Sequence, residues 1–364
     1  MINLSRPYFG DEEKKTVISI LNSGNIAQGQ YVKKLETKFT SITNTKYAIA
    51  VNSGTAALHT ALVCVGLKKG DEVITTPFTF VATANSILMA GAKPVFVDIE
   101  EKTYNIDPKK IEKFITKRTK AILAVNLYGQ PANYKELRIL AKKNSLFLIE
   151  DAAQSIGATY MGKPSGSLGD IGCFSLYATK NITSGEGGII TTNNKQVAEK
   201  AQLFRNHGQI HKKKYLYKGL GYNYRMNEIQ AAIALIQLKR LPKITLTRQK
   251  IASYYNKSLK KIKGLIVPYT SSNVTHAYHQ YTLTIGSQFK MSRDKLHEYL
   301  KSKEIETRVY YPFLLPLFDH LNTLPNKDSF PVAEKAVRQV LSIPVRPDLT
   351  LPEISYIINT IKNI

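Results

Sequence analysis

The chain has 364 residues, 43% hydrophobic and 21% charged, which is ample apolar material for one large or two medium domains. No apolar run reaches the roughly 18 residues of a membrane span, and two cysteines are too few for a disulfide framework. The net charge of +24 suits a nucleic acid, a small polyanionic substrate or merely solvated lysine faces. The start, MINLSRPYFGDEEKK, has no basic residues followed by an apolar stretch, so no signal peptide is read and a cytoplasmic protein is expected. The first two-thirds then alternate helical periodicity with short apolar runs. Helices are expected at about 11–21, 31–43, 55–66, 79–90, 108–117 and 133–143. Strands are expected at Tyr47–Val51, Glu72–Thr75, Pro94–Val97, Ala121–Val125, Leu146–Ile149, Gly172–Leu176 and Gly188–Thr191. Asp107-Pro108 reads as an N-cap with proline in the first turn. Cys64 and Cys173 fall in apolar segments and read as buried reduced thiols. The alternation predicts an α/β fold with a mostly parallel sheet covered on both faces, and such sheets bind ligands beyond the carboxyl ends of their strands.

The character changes near residue 240, so residues 1–240 are expected to form the large domain and 241–364 a smaller α+β domain. A long helical stretch from Met226 is interrupted at Leu241-Pro242. An alternating strand at Tyr278–Ile285, a helix from Ser292, strands Glu306–Tyr310 and Leu341–Ile343, and a helix after Leu351-Pro352 complete the chain.

Five segments carry chemistry. In Gly172–Gly188, a buried strand bearing Ser175 leads to Lys180 among Gly185, Gly187 and Gly188. An amine there loses solvation and becomes nucleophilic, as a lysine must to bind a carbonyl cofactor such as pyridoxal phosphate (PLP); an ordinary lysine would snorkel to water. Asn52-Ser53-Gly54-Thr55 opens a helix after a strand and reads as a phosphate cup or as an ordinary serine cap. It lacks the lysine of a nucleotide-triphosphate loop. Asp151, just past a buried strand, can hold a pyridine nitrogen protonated, with Gln154 in reach of a neighbouring oxygen. The plainer reading is a capping Asp beside an exposed Glu150, and no His or Cys cluster supports a metal. Phe80 can stack on a planar ring or belong to the core. The loop Gly219–Arg225 runs into a helix and offers Asn223 and Arg225 as anion or interface groups. For nucleic acid, the clusters His211-Lys212-Lys213-Lys214 and Lys260-Lys261-Ile262-Lys263 stand beside only Tyr215 and Tyr217, without helix-turn-helix or zinc spacing, and no nucleic-acid partner is expected.

In order, NSGTAAL, TPFTFVATAN, GAKPVFVDI, EDAAQSIGA, GDIGCFSLYATKN, EGG, RNHG, GYNYRMNEIQAA, YHQYT and TRVYYP resemble the DegT/DnrJ family of PLP-dependent nucleotide-sugar aminotransferases over essentially the whole chain. The resemblance implies an aspartate-aminotransferase-like fold (PLP fold type I) and a homodimer with shared active sites. It implies Lys180 as the Schiff-base lysine, Asp151 as partner of the ring nitrogen and Gln154 as partner of the ring hydroxyl. Gly54, Thr55 and Ser175 would hold the phosphate, Phe80 would stack on the ring, and Asn223 would reach the neighbouring subunit's phosphate. Tyr311 and Arg308 are candidate substrate residues. The implied substrates are an amino acid, L-glutamate, and a keto sugar on a nucleoside diphosphate, with pyridoxamine phosphate formed between the half-reactions. The family's products feed surface polysaccharide, glycan or antibiotic synthesis. Relatives that deoxygenate sugars carry histidine at the Lys180 position; a regulatory protein of the same fold is a further alternative. Two departures stand out. Tyr311-Pro312 continues to Phe313-Leu314-Leu315-Pro316-Leu317 where many relatives have Pro-Leu-His, and Glu186 stands where many have Asp.

Overall fold

A computed structural model describes residues 1–210, 215–321 and 329–364; the basic cluster at 211–214 lies outside them. Helices α1 (Asp11–Ser23) and α2 (Gln30–Thr43) precede β1 (Tyr47–Val51) and α3 (Gly54–Cys64). Next come β2 (Glu72–Thr75), α4 (Ala82–Met89), β3 (Lys93–Phe96), α5 (Pro108–Ile111), β4 (Thr119–Val125), α6 (Tyr134–Lys143) and β5 (Phe147–Asp151). Two-residue strands β6 (Thr159–Tyr160) and β7 (Lys163–Pro164) lead to β8 (Ile171–Ser175), β9 (Gly188–Thr192) and α7 (Lys195–Phe204). Among the described residues, seven strands form one sheet in the order β1-β9-β8-β5-β4-β2-β3, with β9 alone antiparallel to its neighbours.

Alternate residues of these strands feed two cores, the arrangement of a sheet buried on both faces. Ile49, Val51, Leu123, Ile171 and Cys173 pack with α3 and α7. On the other face Ala48, Ala50 and Phe174 pack with α2, and Ile122, Ala124 and Leu148 pack with α6. Cys64 and Cys173 are free and buried, as expected.

The remaining chain forms α8 (Glu228–Leu259), β10 (Leu265–Ile266), β11 (Val274–Thr275), β12 (Tyr281–Ile285), α9 (Arg293–Ser302), α10 (Pro331–Gln339), β13 (Val340–Ile343) and α11 (Leu351–Lys362). Strands β10, β12 and β13 make a second sheet, and β11 pairs with the β6–β7 hairpin.

Four expectations need correction. Helix α8 runs unbroken through Pro242. Its first half packs on the large sheet through Leu238 and Leu241, its second on the small sheet through Ile251, Tyr255 and Leu259. Packing at both ends outweighs the lost backbone bond and ring clash, about 3 kcal/mol. Glu306–Tyr310 is no strand and makes only an isolated bridge, Arg308 to Ser342. The alternating segment 278–285 is a strand only from Tyr281. Helices α7 and α10 were not anticipated.

Candidate active site

The carboxyl ends of the parallel strands supply one cavity of about 700 Å³. Past β1 come Ser53, Gly54 and Thr55; past β2, Thr79 and Phe80; at and past β5, Asp151 and Gln154; at and past β8, Ser175 and Lys180. The C-terminal part adds His279, Gln280, Arg308, Tyr310 and Tyr311 to the lining. Seven of the eight expected cofactor residues therefore meet in one place.

Lys180 sits in the turn after β8, its backbone N–H donating to the Tyr177 carbonyl at 2.9 Å. Burial strips water from the ammonium and pulls its pKa down to about 8, with Asp151 pulling the other way. Near neutral pH a useful fraction of free amine is present. Asp151 is the last residue of β5, not a helix cap. Its Oδ2 accepts from Thr83 Oγ1 at 2.8 Å and its Oδ1 from the Ala153 N–H at 3.2 Å. Burial raises the Asp151 pKa; Thr83, Ala153 and Lys180 work against that. The neighbouring Glu150 is fully buried, so the plainer reading of an exposed glutamate is overturned.

The helix start shows both readings at once. Ser53 caps α3, its hydroxyl accepting from the Ala56 N–H at 3.1 Å. A Cβ on Gly54 would lie 2.8 Å from Ser175 Cβ, so only glycine lets β8 and the helix N-terminus close into a cup. The first N–H groups of a helix lack intrahelical partners and favour anions.

Phe80 is not core. It is 57% exposed at the cavity, with its ring 6.2 Å from that of Tyr311. Gln154 is locked: its Oε1 accepts from the Tyr128 N–H at 2.8 Å, and its Nε2 donates to the Tyr311 hydroxyl at 3.2 Å. Burial holds the Tyr311 phenol protonated. Arg308 is paired with Glu306 at 3.0 Å. Glu186 lines the same cavity.

Asn223 does not join them. Its carbonyl accepts from Asn52 Nδ2 at 3.3 Å, and it bridges to Asn206. Arg225 donates to Asn206 Oδ1 at 2.6 Å and lines a second cavity of about 850 Å³ with Lys33, Arg205 and Lys218. After Pro312 the departing segment buries Leu314 and Leu315, with the Leu315 N–H on the Pro77 carbonyl at 3.0 Å. The next histidine, His320, contacts Asn85 and stays outside the cavity lining. Thr83, Tyr128, Tyr310 and His279 were not anticipated as site residues. Thr83 and His279 stand inside the motifs TPFTFVATAN and YHQYT, but nothing short of the fold separates them from core residues.

These donors fit pyridoxal phosphate: a partly neutral amine for its aldehyde, a carboxylate for its ring nitrogen and a glycine-opened helix start for its phosphate. Fold and site together define a PLP-dependent enzyme of fold type I. The DegT/DnrJ/EryC1/StrS aminotransferase family model matches residues 7–362. The GDP-perosamine synthase of Caulobacter vibrioides is 37% identical, covering 100% of this chain and 98% of that one. The pleiotropic regulatory protein of Geobacillus stearothermophilus is 41% identical, covering 99% and 97%. PseC of Helicobacter pylori, an aminotransferase involved in pseudoaminic acid biosynthesis, superposes with a TM-score of 0.94 at 31% identity, covering 100% and 98%. Solved relatives include PLP and PMP forms. The chain belongs to the DegT/DnrJ/EryC1/StrS aminotransferase family, and its cofactor is PLP.

Proposed function

We propose that this aminotransferase moves an amino group from L-glutamate to the keto group of a sugar carried on a nucleoside diphosphate. The observation that carries the reading is the burial of Lys180 and Asp151 in one cavity, with the amine pKa near 8. The names of the relatives, GDP-perosamine synthase among them, support the sugar substrate. Bound PLP supplies an electron sink and carries the amino group between the two half-reactions.

The chain's own residues do the rest. Lys180 would anchor the cofactor and then, as a free amine, act as the base that takes the proton from the donor's α-carbon in the first half-reaction and, once protonated, as the acid that protonates the acceptor carbon in the second. Asp151 keeps a proton on the ring nitrogen, since a buried carboxylate needs a positive partner. Gln154, its amide fixed by Tyr128, directs its Nε2 donor at the ring oxygen. Gly54, Thr55 and Ser175 hold the phosphate, and Phe80 covers the ring. Arg308 and Tyr311 face the sugar nucleotide, where basic charge suits a pyrophosphate.

Asn223 is outside the lining of its own chain's cavity, in a stretch of chain where Tyr215, Tyr217 and Leu220 are also exposed. We assign it to the cavity of a second copy, in a homodimer with shared sites. The boundary at residue 240 falls inside α8, so the two proposed domains, 1–240 and 241–364, share one helix. The two free buried thiols suit the reducing cytoplasm. A regulatory role is the second reading, favoured by the 41% identity to a pleiotropic regulatory protein. Incubation with PLP, L-glutamate and a panel of keto sugar nucleotides, read by product mass, tests the first. An amino sugar nucleotide and 2-oxoglutarate are expected; cofactor loading without any glutamate half-reaction would favour the second.

A further inference from the structure

Among the polar groups of the cavity that neither the cofactor contacts above nor the proton transfer uses, His279 is the buried one with an unpartnered nitrogen. His279 lines the cavity and is only 6% exposed. Its Nδ1 is sealed from water without a hydrogen-bond partner, and no described residue bonds the imidazole at all. A native structure rarely leaves a buried polar atom so, and one at a site needs an explanation.

The backbone delivers this ring firmly. Arg248 Nη1 donates to the Tyr278 carbonyl at 3.0 Å and to the His279 carbonyl at 3.4 Å. The Gln280 N–H donates to the Tyr128 carbonyl at 3.1 Å. Gly129, with φ +104°, lies so near that a Cβ there would fall 2.8 Å from the His279 backbone nitrogen. Burial, Lys180 and Arg248 all disfavour the imidazolium. A neutral imidazole has one N–H. A sealed N–H without an acceptor is among the rarest defects in native proteins, while a spare lone pair is better tolerated. The proton therefore sits on Nε2, and Nδ1 keeps the lone pair.

A neutral donor beside Lys180 has a natural target. In an α-amino acid the carboxylate is bonded to the carbon that carries the nitrogen. When the donor's nitrogen replaces the lysine nitrogen, its carboxylate stands two bonds away. A keto sugar carries no such carboxylate. We propose that the His279 Nε2–H binds the α-carboxylate of the amino-acid donor and so acts in the donor half-reaction only. This rests on the transamination read above.

Three variants and one spectrum test it. His279→Phe keeps the ring and removes the donor. Its KM for L-glutamate in the donor half-reaction should rise roughly ten- to a hundredfold, the loss of one hydrogen bond to a charge. Transfer from the aminated enzyme to the keto sugar should stay within about twofold of wild type. His279→Gln places an amide N–H near the Nε2 position and should restore most of the affinity; His279→Asn reaches only as far as Nδ1 and should not. Nitrogen-15 spectra of the holoenzyme at pH 7 should show a neutral Nε2–H tautomer, absent in His279→Gln, whose Nε2 signal moves on addition of L-glutamate. Unchanged glutamate KM in His279→Phe with cofactor still fixed on Lys180, equal loss in both half-reactions, or an Nδ1–H tautomer would each overturn the proposal while leaving transamination intact. Failure of the wild type to accept nitrogen from glutamate would bring down both.

Discussion

Glu150 and Asp151 are neighbours on β5, both buried, and they face opposite duties. Glu150 is sewn shut. Its Oε1 accepts from Asn126 Nδ2 at 2.8 Å, Ser165 Oγ at 2.6 Å and the Gly166 N–H at 2.8 Å, and its Oε2 from the Leu168 N–H at 3.1 Å. Among the described residues Asp151 accepts only from Thr83 and the Ala153 N–H, with Lys180 near enough to bias its charge. Strand alternation sends one carboxylate into the packed layer and the other to the cavity. A saturated buried carboxylate holds structure together. An undersaturated one is available to a ligand.

Removing the amine breaks the cavity side most completely. In Lys180→Ala no cofactor should be fixed by borohydride reduction, while the melting temperature of the apoprotein changes little; an adduct at any other lysine would refute the assignment. The adjacent acids sharpen the contrast next. Asp151→Asn should keep the fold and lower turnover by about a hundredfold or more, the usual scale for losing a fixed charge at the reacting centre. Glu150→Gln should do the reverse. Its amide N–H₂ must meet a ring of donors, at a cost of about 2–3 kcal/mol in unfolding free energy, read as a lower denaturation midpoint with turnover per folded molecule retained. Similar behaviour of the two variants would dissolve the comparison. The smallest effect is on pH. The free amine is the reactive form of Lys180, and raising pH deprotonates it. Rates of apoenzyme reconstitution with PLP should therefore climb through neutral pH and level off above about 8. A plateau reached only near pH 10 would mean an unperturbed lysine.

Much of the site is local and was legible for that reason. Lys180, Asp151, Ser175 and Gly54 stand at or just past strand ends, and strand ends follow from short apolar runs bounded by polar or small residues. Their motifs occur in the order the family requires. Phe80 was legible only as a motif position, since a lone phenylalanine more often belongs to a core; its exposure comes from the cavity. Helix α8 shows the opposite limit. Pro242 argues locally for a break, and long-range packing on two cores decides otherwise. The stretch Glu306–Tyr310 has strand-like composition but, among the described residues, pairs at one point only, Arg308 with Ser342 on the outer edge of β13.

The sequence by itself determined the cofactor chemistry. A lysine, a carboxylate and a small-residue helix start at strand ends depend on residue type and local period, which a single chain displays. Tertiary structure alone decided what surrounds them: that Thr83 holds Asp151, that Tyr128 and Tyr311 lock Gln154, and that His279 arrives beside Lys180 with an unclaimed nitrogen. These partners lie 68, 26, 157 and roughly a hundred residues apart along the chain. No local rule couples residues at such separations; only the closing of the sheet and the docking of the C-terminal part bring them together.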